Sequence, residues 1–316
     1  MASMRDLIFV VRGQGLWPLL KRLYFEVNED NVFTNAAAMS YAWVFAIFPF
    51  FIFLLALVPY IPEHYRNNAN RAVEYVLQEV QVPGKTAETV MSVVKEVTDK
   101  PHTGGFLSIG LFLTLYAASG GMNTTMSALD QAFDVEKPRK YVTKRLWAML
   151  LTVLVCACAI IIVILLPIGS QITRLVLEYA DKLPERLRWL ANGSTLLLFT
   201  VARYIIGLTV MQLMIGAVYH FGRSQRNRLR FFTPGSVFAA VGWIALGAVM
   251  RIYFENYANY SKTYGTVAGM VILLMIFYLD SIIFLVGAEL DSEIELAKSE
   301  LASHSRDDST MSRPPA

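Results

Sequence analysis

Two residues of opposite charge, Arg203 and Asp280, lie inside long apolar stretches of the sequence. A charge within hydrocarbon costs from a few to more than about ten kcal/mol, so such residues face the protein interior, a wet cavity or a partner. With a helical rise of about 1.5 Å per residue, their depths differ by about 12 Å. One interpretation is an ion- or proton-coupled site in which Arg203 is the counter-charge of Asp280. The other is a structural pair, or an arginine whose side chain extends to the interface.

A run of small and polar residues follows one face of a predicted helix. Asn123, Ser127 and Asp130 lie four, eight and eleven residues after Ser119, which places the four side chains along one helical face. Small and polar residues let helices approach and hydrogen-bond to one another, but a conduction path has the same pattern. The stripe is therefore interpreted either as a packing surface or as part of a substrate path that includes the two intramembrane charges.

The sequence lacks the motifs of familiar catalytic and metal sites. Its four histidines are scattered, and it has no Cys-x-x-Cys or His-x-x-x-His spacing, no phosphate-binding glycine loop and no Gly-x-Ser-x-Gly elbow. We therefore expect no metal, no cofactor, no catalytic residue and no use of ATP. A ribonuclease would need clustered acids or histidines, which the sequence does not indicate.

Six apolar segments are long enough to hold these residues inside a membrane, since a helix needs about 20 residues to cross the hydrocarbon. The chain is 55% hydrophobic and only 17% charged, which is too little polar surface for a soluble globule. The sequence predicts an all-α polytopic membrane protein, a bundle of six transmembrane helices. The predicted spans are Ala38–Tyr60, Gly104–Ser127, Leu146–Ile168, Thr195–Tyr219, Pro234–Phe254 and Gly265–Ala288.

Basic residues concentrate in the connections 128–145 and 220–233. Cytoplasmic loops carry an excess of Lys and Arg, so both connections and both termini are expected in the cytoplasm. The arginines of the second connection are interpreted as a topology signal, or as a site for anionic lipid headgroups. A nucleic-acid partner is not expected. These arginines are Arg223, Arg226, Arg228 and Arg230.

The distribution of apolar residues divides the chain into three segments. Residues 1–37 form a cytoplasmic segment with an amphipathic helix that either lies in the membrane interface or packs on the bundle. Residues 38–288 form the transmembrane domain, within which 61–103 are predicted to form an extracytoplasmic helical hairpin. Residues 289–316 are predicted to be a cytoplasmic, largely disordered tail.

Glycines within the predicted spans suggest helix contacts. Gly120 and Gly121 interrupt the second span, and Gly265 and Gly269 form a Gly-x-x-x-Gly pattern in the sixth. Such residues most often mark a packing face.

Two prolines have positional meaning. Pro49 removes a backbone hydrogen bond within the first span, which predicts a kink or hinge. Thr233 is a good N-cap for the fifth span because Pro234 follows at the first helical position.

Several stretches resemble the YihY/BrkB family of bacterial inner-membrane proteins. In that family Tyr-Gly-Ser/Thr opens the last span and Gly-Ala-Glu-Leu closes it; here these are Tyr264-Gly265-Thr266 and Gly287-Ala288-Glu289-Leu290. Asn35–Pro49, Ala128-Leu129-Asp130 and Thr233-Pro234-Gly235 also fit. The resemblance covers nearly the whole chain and implies a multi-pass protein of the bacterial inner membrane. Glu289 of the closing motif completes the candidate substrate path.

The chain departs from the family pattern at several acids. The family usually has Asn at the positions of Asp130 and Asp291, and a small hydroxyl residue at that of Asp280. Arg203 matches no family motif, so these residues inherit no role. The resemblance implies a link to the cell envelope, and the family's old ribonuclease label looks like a misassignment.

Two functions fit these observations. The first is a transporter or translocase of a small amphipathic or lipid-like substrate, not driven by ATP. The alternative is a non-transporting scaffold that supports envelope assembly or integrity through 61–103. Membrane lipids are the expected partners in both cases, together with a second copy of the chain if the protein forms a homo-oligomer.

Overall fold

The computed structural model describes residues 2–57, 88, 92, 104–178, 193–225, 230–257 and 261–311, which form helices and no strands. The eight helices are α1 (Met4–Gln14), α2 (Leu16–Glu29), α3 (Val32–Leu57), α4 (Gly104–Ala132), α5 (Tyr141–Glu178), α6 (Gly193–Gly222), α7 (Pro234–Tyr257) and α8 (Ser261–Met311). Apart from Glu88 and Ser92, the predicted hairpin 61–103 lies outside the described residues.

Five stretches of these helices are long and apolar enough to cross a membrane. The protein is therefore an all-α polytopic membrane protein, which confirms the predicted fold class. Helix α4 covers the predicted span Gly104–Ser127 and has 29 residues, but it is not among the five, so the count of six spans stays a prediction. The five are Val32–Phe53, Tyr141–Ile162, Gly193–Gly222, Pro234–Phe254 and Gly269–Ser303.

The chain divides into two compact units. Unit 1 consists of Met1–Ile47, Ser119–Leu151 and Gln212–Ala316, and unit 2 of Phe48–Ala118 and Thr152–Met211. The boundary within α3 falls beside Pro49, through which the helix continues. The predicted hinge at this proline stays a prediction.

The N-terminal segment forms two helices that pack against α8 in unit 1. Gly15 separates them with a φ of 88°, a left-handed conformation that favours glycine. Val10 of α1 and Leu19 of α2 are buried against Ile294 and Ala297 of α8. Helix α2 covers the predicted amphipathic helix.

Helix α2 also has an outward apolar face, which carries exposed Trp17, Tyr24 and Phe25. Aromatic side chains of this kind favour the membrane–water interface. Its geometry therefore combines the two sequence interpretations, since one face packs on α8 while the other suits an interface.

The prediction of a largely disordered tail at 289–316 is wrong over residues 289–311, because α8 continues to Met311. Leu290, Ile294, Ala297 and Leu301 recur at helical spacing and pack against the N-terminal helices. This apolar face is buried because α1 and α2 lie beside it. The prediction of disorder rests on the polar residues of the other faces, which dominate the composition of the segment.

Glycine permits a close backbone approach between α7 and α8. A Cβ atom added to Gly287 would lie 2.6 Å from the carbonyl oxygen of Gly235 and 2.6 Å from the hydroxyl of Tyr219. One added to Gly242 would clash with the side chain of Ile283. Small residues on both helices therefore set the distance between them.

The glycines predicted to mark packing faces differ from one another. Gly121 lies against Trp43 and Ala46 of α3. At Gly120 and Gly269 an added Cβ meets nothing within 4 Å among the described residues, so their role in packing stays a prediction. Gly265 belongs to α8 but lies outside the residues whose side chains the structure describes.

We predict that Gly287→Ala destabilises the protein while Gly269→Ala, on the same helix, does not. The first substitution forces backbone and side-chain atoms apart, which costs about 2 kcal/mol. The second adds a methyl group in open space and improves helix propensity. Thermal unfolding in detergent measures both, and equal melting temperatures for the two variants would contradict the close approach of α7 and α8.

Candidate functional site

The two basic connections meet in unit 1 through the buried carboxylate of Asp130. Its Oδ1 accepts from the backbone N–H of Ser224 at 2.6 Å, and its Oδ2 accepts from the hydroxyl of Ser224 at 2.9 Å. Lys144 Nζ lies 3.3 Å from Oδ2 and donates to Ser127 at 2.9 Å. Asp130 thus joins the end of α4 to the start of α5 and to the residues that follow α6.

Arg139 completes this junction by capping α6. Its guanidinium donates to the carbonyl of Phe221 at 2.7 Å and to that of Arg223 at 2.8 Å. These carbonyls have no partner within the helix, and a cation at a helix C-terminus is favourable. The guanidinium also lies over Trp147, whose ring stacks on Phe221. We call Asp130, Arg139, Lys144 and Ser224 the connection latch.

The polar stripe of α4, which runs from Ser119 to Asp130, has hydrogen-bond partners at its C-terminal end. Asp130 and Ser127 are engaged by the latch, and Ser127 also donates to the carbonyl of Asn123 at 3.1 Å. Ser119 is fully buried. The stripe has structural partners within unit 1, and its role in a substrate path stays a prediction.

The arginines of the second basic connection are not a single surface patch. Arg223 is only 2% exposed, lies over the ring of Phe133, and donates to Glu295 at 3.4 Å. Its Nε and Nη2 are buried without a hydrogen-bond partner among the described residues, so the choice between a topology signal and a lipid-headgroup site stays a prediction for Arg223. Arg226 and Arg228 lie outside the described residues.

Arg230 reaches across unit 1 to the N-terminal helix. It donates to Asp6 at 2.8 Å, and Lys298 of α8 donates to the same carboxylate at 2.8 Å. Burial by itself would raise the pKa of Asp6, but hydrogen bonds from Lys298, Arg230 and Ser3 lower it below its usual 3.8. Arg230 therefore ties α1 to the connection before α7.

The two intramembrane charges have different surroundings. Arg203, in unit 2, is 7% exposed, and its Nε and Nη1 have no hydrogen-bond partner among the residues that the structure describes. Asp280, in unit 1, is half-buried, and its backbone carbonyl accepts from Trp243 at 3.1 Å. The predicted pairing of these residues joins two units and stays a prediction.

Four carboxylates from distant parts of the sequence come together in unit 1. Oxygen atoms of Glu26, Asp30 and Asp134 lie within 4.8 Å of one another. The carboxyl of Asp30 is within hydrogen-bonding reach of Glu289, which is 1% exposed. Burial and then the charge of Asp134 raise the pKa of Glu26 and of Asp30. We call these four residues the acidic cluster.

Backbone contacts position this cluster. The side-chain amides of Asn35 and Gln131 donate to the carbonyl of Asp30 at 3.0 and 2.8 Å, which fixes the end of α2 against the end of α4. Asp134 follows α4 with a φ of 46°. The sequence expectation that no acids cluster is therefore wrong.

A further buried acid holds the start of α7. Asp291 Oδ1 accepts from the backbone N–H of Gly235 at 2.8 Å, where the helix dipole favours negative charge. Ser236 N–H donates to Thr233 Oγ1 at 3.1 Å, so Thr233 is the N-cap that the sequence predicts. The motifs that carry the family resemblance, including Gly235 and Gly287, thus meet in unit 1.

The apolar helices and these contacts define the class of protein: an integral membrane protein whose helix ends are connected by buried charged side chains. The chain belongs to the virulence factor BrkB family, which matches residues 23–311. This match confirms the resemblance seen in the sequence.

Individual relatives agree with this assignment. The ribonuclease-like protein YfkH of Bacillus subtilis (strain 168) is 29% identical over 88% of this chain and 96% of its own length. UPF0761 membrane proteins of Stenotrophomonas maltophilia (strain R551-3) and Methylibium petroleiphilum are 26% and 24% identical over 86% of this chain. The chain spans only 59% and 62% of those two proteins. No solved structure matches the chain.

We predict that Asp130→Ala lowers the free energy of unfolding by about 2–3 kcal/mol, because it leaves the N–H and hydroxyl of Ser224 without their acceptor and removes the carboxylate beside the partly buried ammonium of Lys144. Ser127→Ala removes one neutral acceptor of the same ammonium and should cost less than about 1 kcal/mol. Chemical unfolding in detergent compares the two variants. Equal losses would contradict a latch centred on Asp130.

We predict that the contribution of Asp6 to stability depends on pH. Because its pKa is lowered in the folded protein, the contribution is complete above pH 3.8 and is lost as pH falls through the folded value. Asp6→Asn should therefore cost about 1 kcal/mol at neutral pH, and this cost should shrink as pH falls below 3.8. Melting curves of both proteins across this range measure it, and a pH-independent difference would contradict the ion pairs of Asp6.

Proposed function

We propose that the protein translocates an anionic amphipathic substrate, such as a lipid, across the membrane without ATP, and that Arg203 binds the anionic group. The coarser statement, that it is an integral membrane protein of the BrkB family, rests on the family match and on its apolar helices. The finer one rests on a single observation, the unsatisfied guanidinium of Arg203.

The burial of Arg203 supports a ligand of opposite charge. The residue lies within the apolar stretch Gly193–Gly222, where water does not compensate an unpaired charge. Its Nε and Nη1 are buried without an acceptor among the described residues. A guanidinium binds phosphate and carboxylate through paired hydrogen bonds, so an anionic headgroup would satisfy both atoms.

The surroundings of Arg203 on α6 agree with an inward-facing site. Val201, Tyr204 and Ile205 are exposed apolar or aromatic residues of the same helix, as expected for a face in contact with lipid. Arg203 is buried, although it lies between them in sequence. Within unit 2 the guanidinium is buried and lies over the ring of Tyr204, 5.1 Å from its centroid.

A lipid translocation assay distinguishes transport from the competing functions. A scaffold needs no movement of substrate and no unsatisfied charge within a span. A nuclease is no longer opposed by a lack of clustered acids, since unit 1 contains the acidic cluster. Arg203 nevertheless lies in an apolar span, where a charged polynucleotide is not expected to enter, and it favours an amphipathic substrate.

The test is a lipid translocation assay in proteoliposomes with fluorescent phosphatidylglycerol as the anionic probe and fluorescent phosphatidylcholine as the zwitterionic one. The protein should accelerate transfer of phosphatidylglycerol between leaflets. Arg203→Met should reduce this rate about tenfold or more, because a charged hydrogen bond contributes about 1.5–3 kcal/mol. Arg203→Lys should retain part of the rate.

Arg251→Met is the matched control, because Arg251 is an exposed arginine of another apolar helix, α7. It should transfer phosphatidylglycerol at the wild-type rate. Melting curves establish that each variant is folded. Transfer by the wild type no faster than in protein-free vesicles, or an unchanged rate in a folded Arg203→Met variant, would contradict the proposal.

A further inference from the structure

The acidic cluster of unit 1 carries an inference that is independent of transport. Its members are contributed by three separate segments: Glu26 and Asp30 by the end of α2, Asp134 by the turn after α4, and Glu289 by α8. Three of them place carboxylate oxygens within 4.8 Å of one another. Such crowding of like charges opposes the packing of the three segments.

Glu289 indicates what compensates this charge. Its side chain is 1% exposed, and neither carboxylate oxygen receives a hydrogen bond from any residue that the structure describes. Asp30 is within hydrogen-bonding reach of Glu289, and its Oδ2 is likewise buried without a donor among the described residues. Two buried carboxyl groups placed together need a proton or a cation to compensate their charge.

Arg22, a basic residue close enough to act on this face of α8, already has an ion-pair partner. Arg22 acts electrostatically on Glu293, one turn beyond Glu289, but its guanidinium forms an ion pair with Glu300 at 2.8 Å. Glu293 is itself buried and adds to the negative charge. Among the residues that the structure describes, no Lys or Arg forms an ion pair with a member of the acidic cluster.

We propose that Glu26, Asp30, Asp134 and Glu289 bind one divalent metal cation, which joins α2, the end of α4 and α8. Oxygens of Glu26, Asp30 and Asp134 lie within 4.8 Å of one another. The fully buried carboxyl of Glu289 lies within hydrogen-bonding reach of Asp30 and has no donor among the described residues. The cation would take the place of the hydrogen-bond donors that Glu289 lacks.

The ligand set selects a hard cation. All four side chains offer oxygen, and neither histidine nor cysteine belongs to the cluster. Such sites suit Mg²⁺, Ca²⁺ or Mn²⁺ rather than Zn²⁺ or Cu²⁺. Because Asp134 is exposed, the site has a route to water by which the cation can enter.

The test measures cation binding to the purified full chain in detergent after removal of metal with a chelator. Mn²⁺ is the probe, followed by electron paramagnetic resonance, with Mg²⁺ and Ca²⁺ as competitors. The wild type should bind one Mn²⁺ per chain. Asp30→Asn and Glu289→Gln should each weaken binding at least tenfold.

Glu136→Gln is the control, since Glu136 is an exposed acid two residues after Asp134. It should bind Mn²⁺ as the wild type does. The melting temperature gives a second readout: divalent cation should raise it for the wild type and for Glu136→Gln, but not for Glu289→Gln. The neutral Glu289→Gln variant relieves repulsion, so it should fold without metal.

Two results would overturn the proposal. One is a wild-type protein that binds no Mn²⁺ beyond the level of a Glu26→Gln/Asp30→Asn double variant. The other is unchanged affinity in a folded Glu289→Gln variant. Neither depends on lipid transfer, so failure of the metal site and failure of the transport proposal are distinguished.

Discussion

The structure depends on one constraint: a charge removed from water must find its partner within the protein or in a bound ligand. In unit 1 most buried charges meet this condition through contacts between distant segments. Asp130 accepts from the residues after α6 and from Lys144, while Asp291 holds the first turn of α7. These contacts fix the ends of the apolar helices, whose association in lipid gains no hydrophobic driving force.

Arg203 and Glu289 are buried charges that do not follow that pattern, each within its own unit. Arg223 also has two guanidinium nitrogens without a hydrogen-bond partner among the described residues, although it contacts Glu295 and Phe133. Arg203 and Glu289 are both buried, and both have polar atoms without a hydrogen-bond partner among the described residues. Their charges are opposite, so they call for different ligands: an anion at Arg203 and a cation at Glu289. The same physical argument therefore yields both proposals, one for a substrate and one for a structural metal.

Much of the fold follows from local sequence signals. Apolar length predicts the spans, and Thr233 followed by Pro234 predicts where α7 begins. The acidic cluster is different, because Glu26 and Glu289 are brought together only by the packing of the N-terminal helices on α8. Composition does not predict that packing either, because the apolar face of 290–301 is surrounded by polar residues. Arg203 is recognisable in sequence as a charge within a span, but its lack of a partner is a tertiary property.

An experimental density map of the protein in lipid nanodiscs tests the central claim most directly. It would show what occupies the space beside the guanidinium of Arg203. The account predicts a non-protein feature, such as a lipid headgroup, in contact with Nε and Nη1. A carboxylate of the same chain in that position would satisfy the charge internally and contradict the claim that buried, unpartnered groups mark ligand sites.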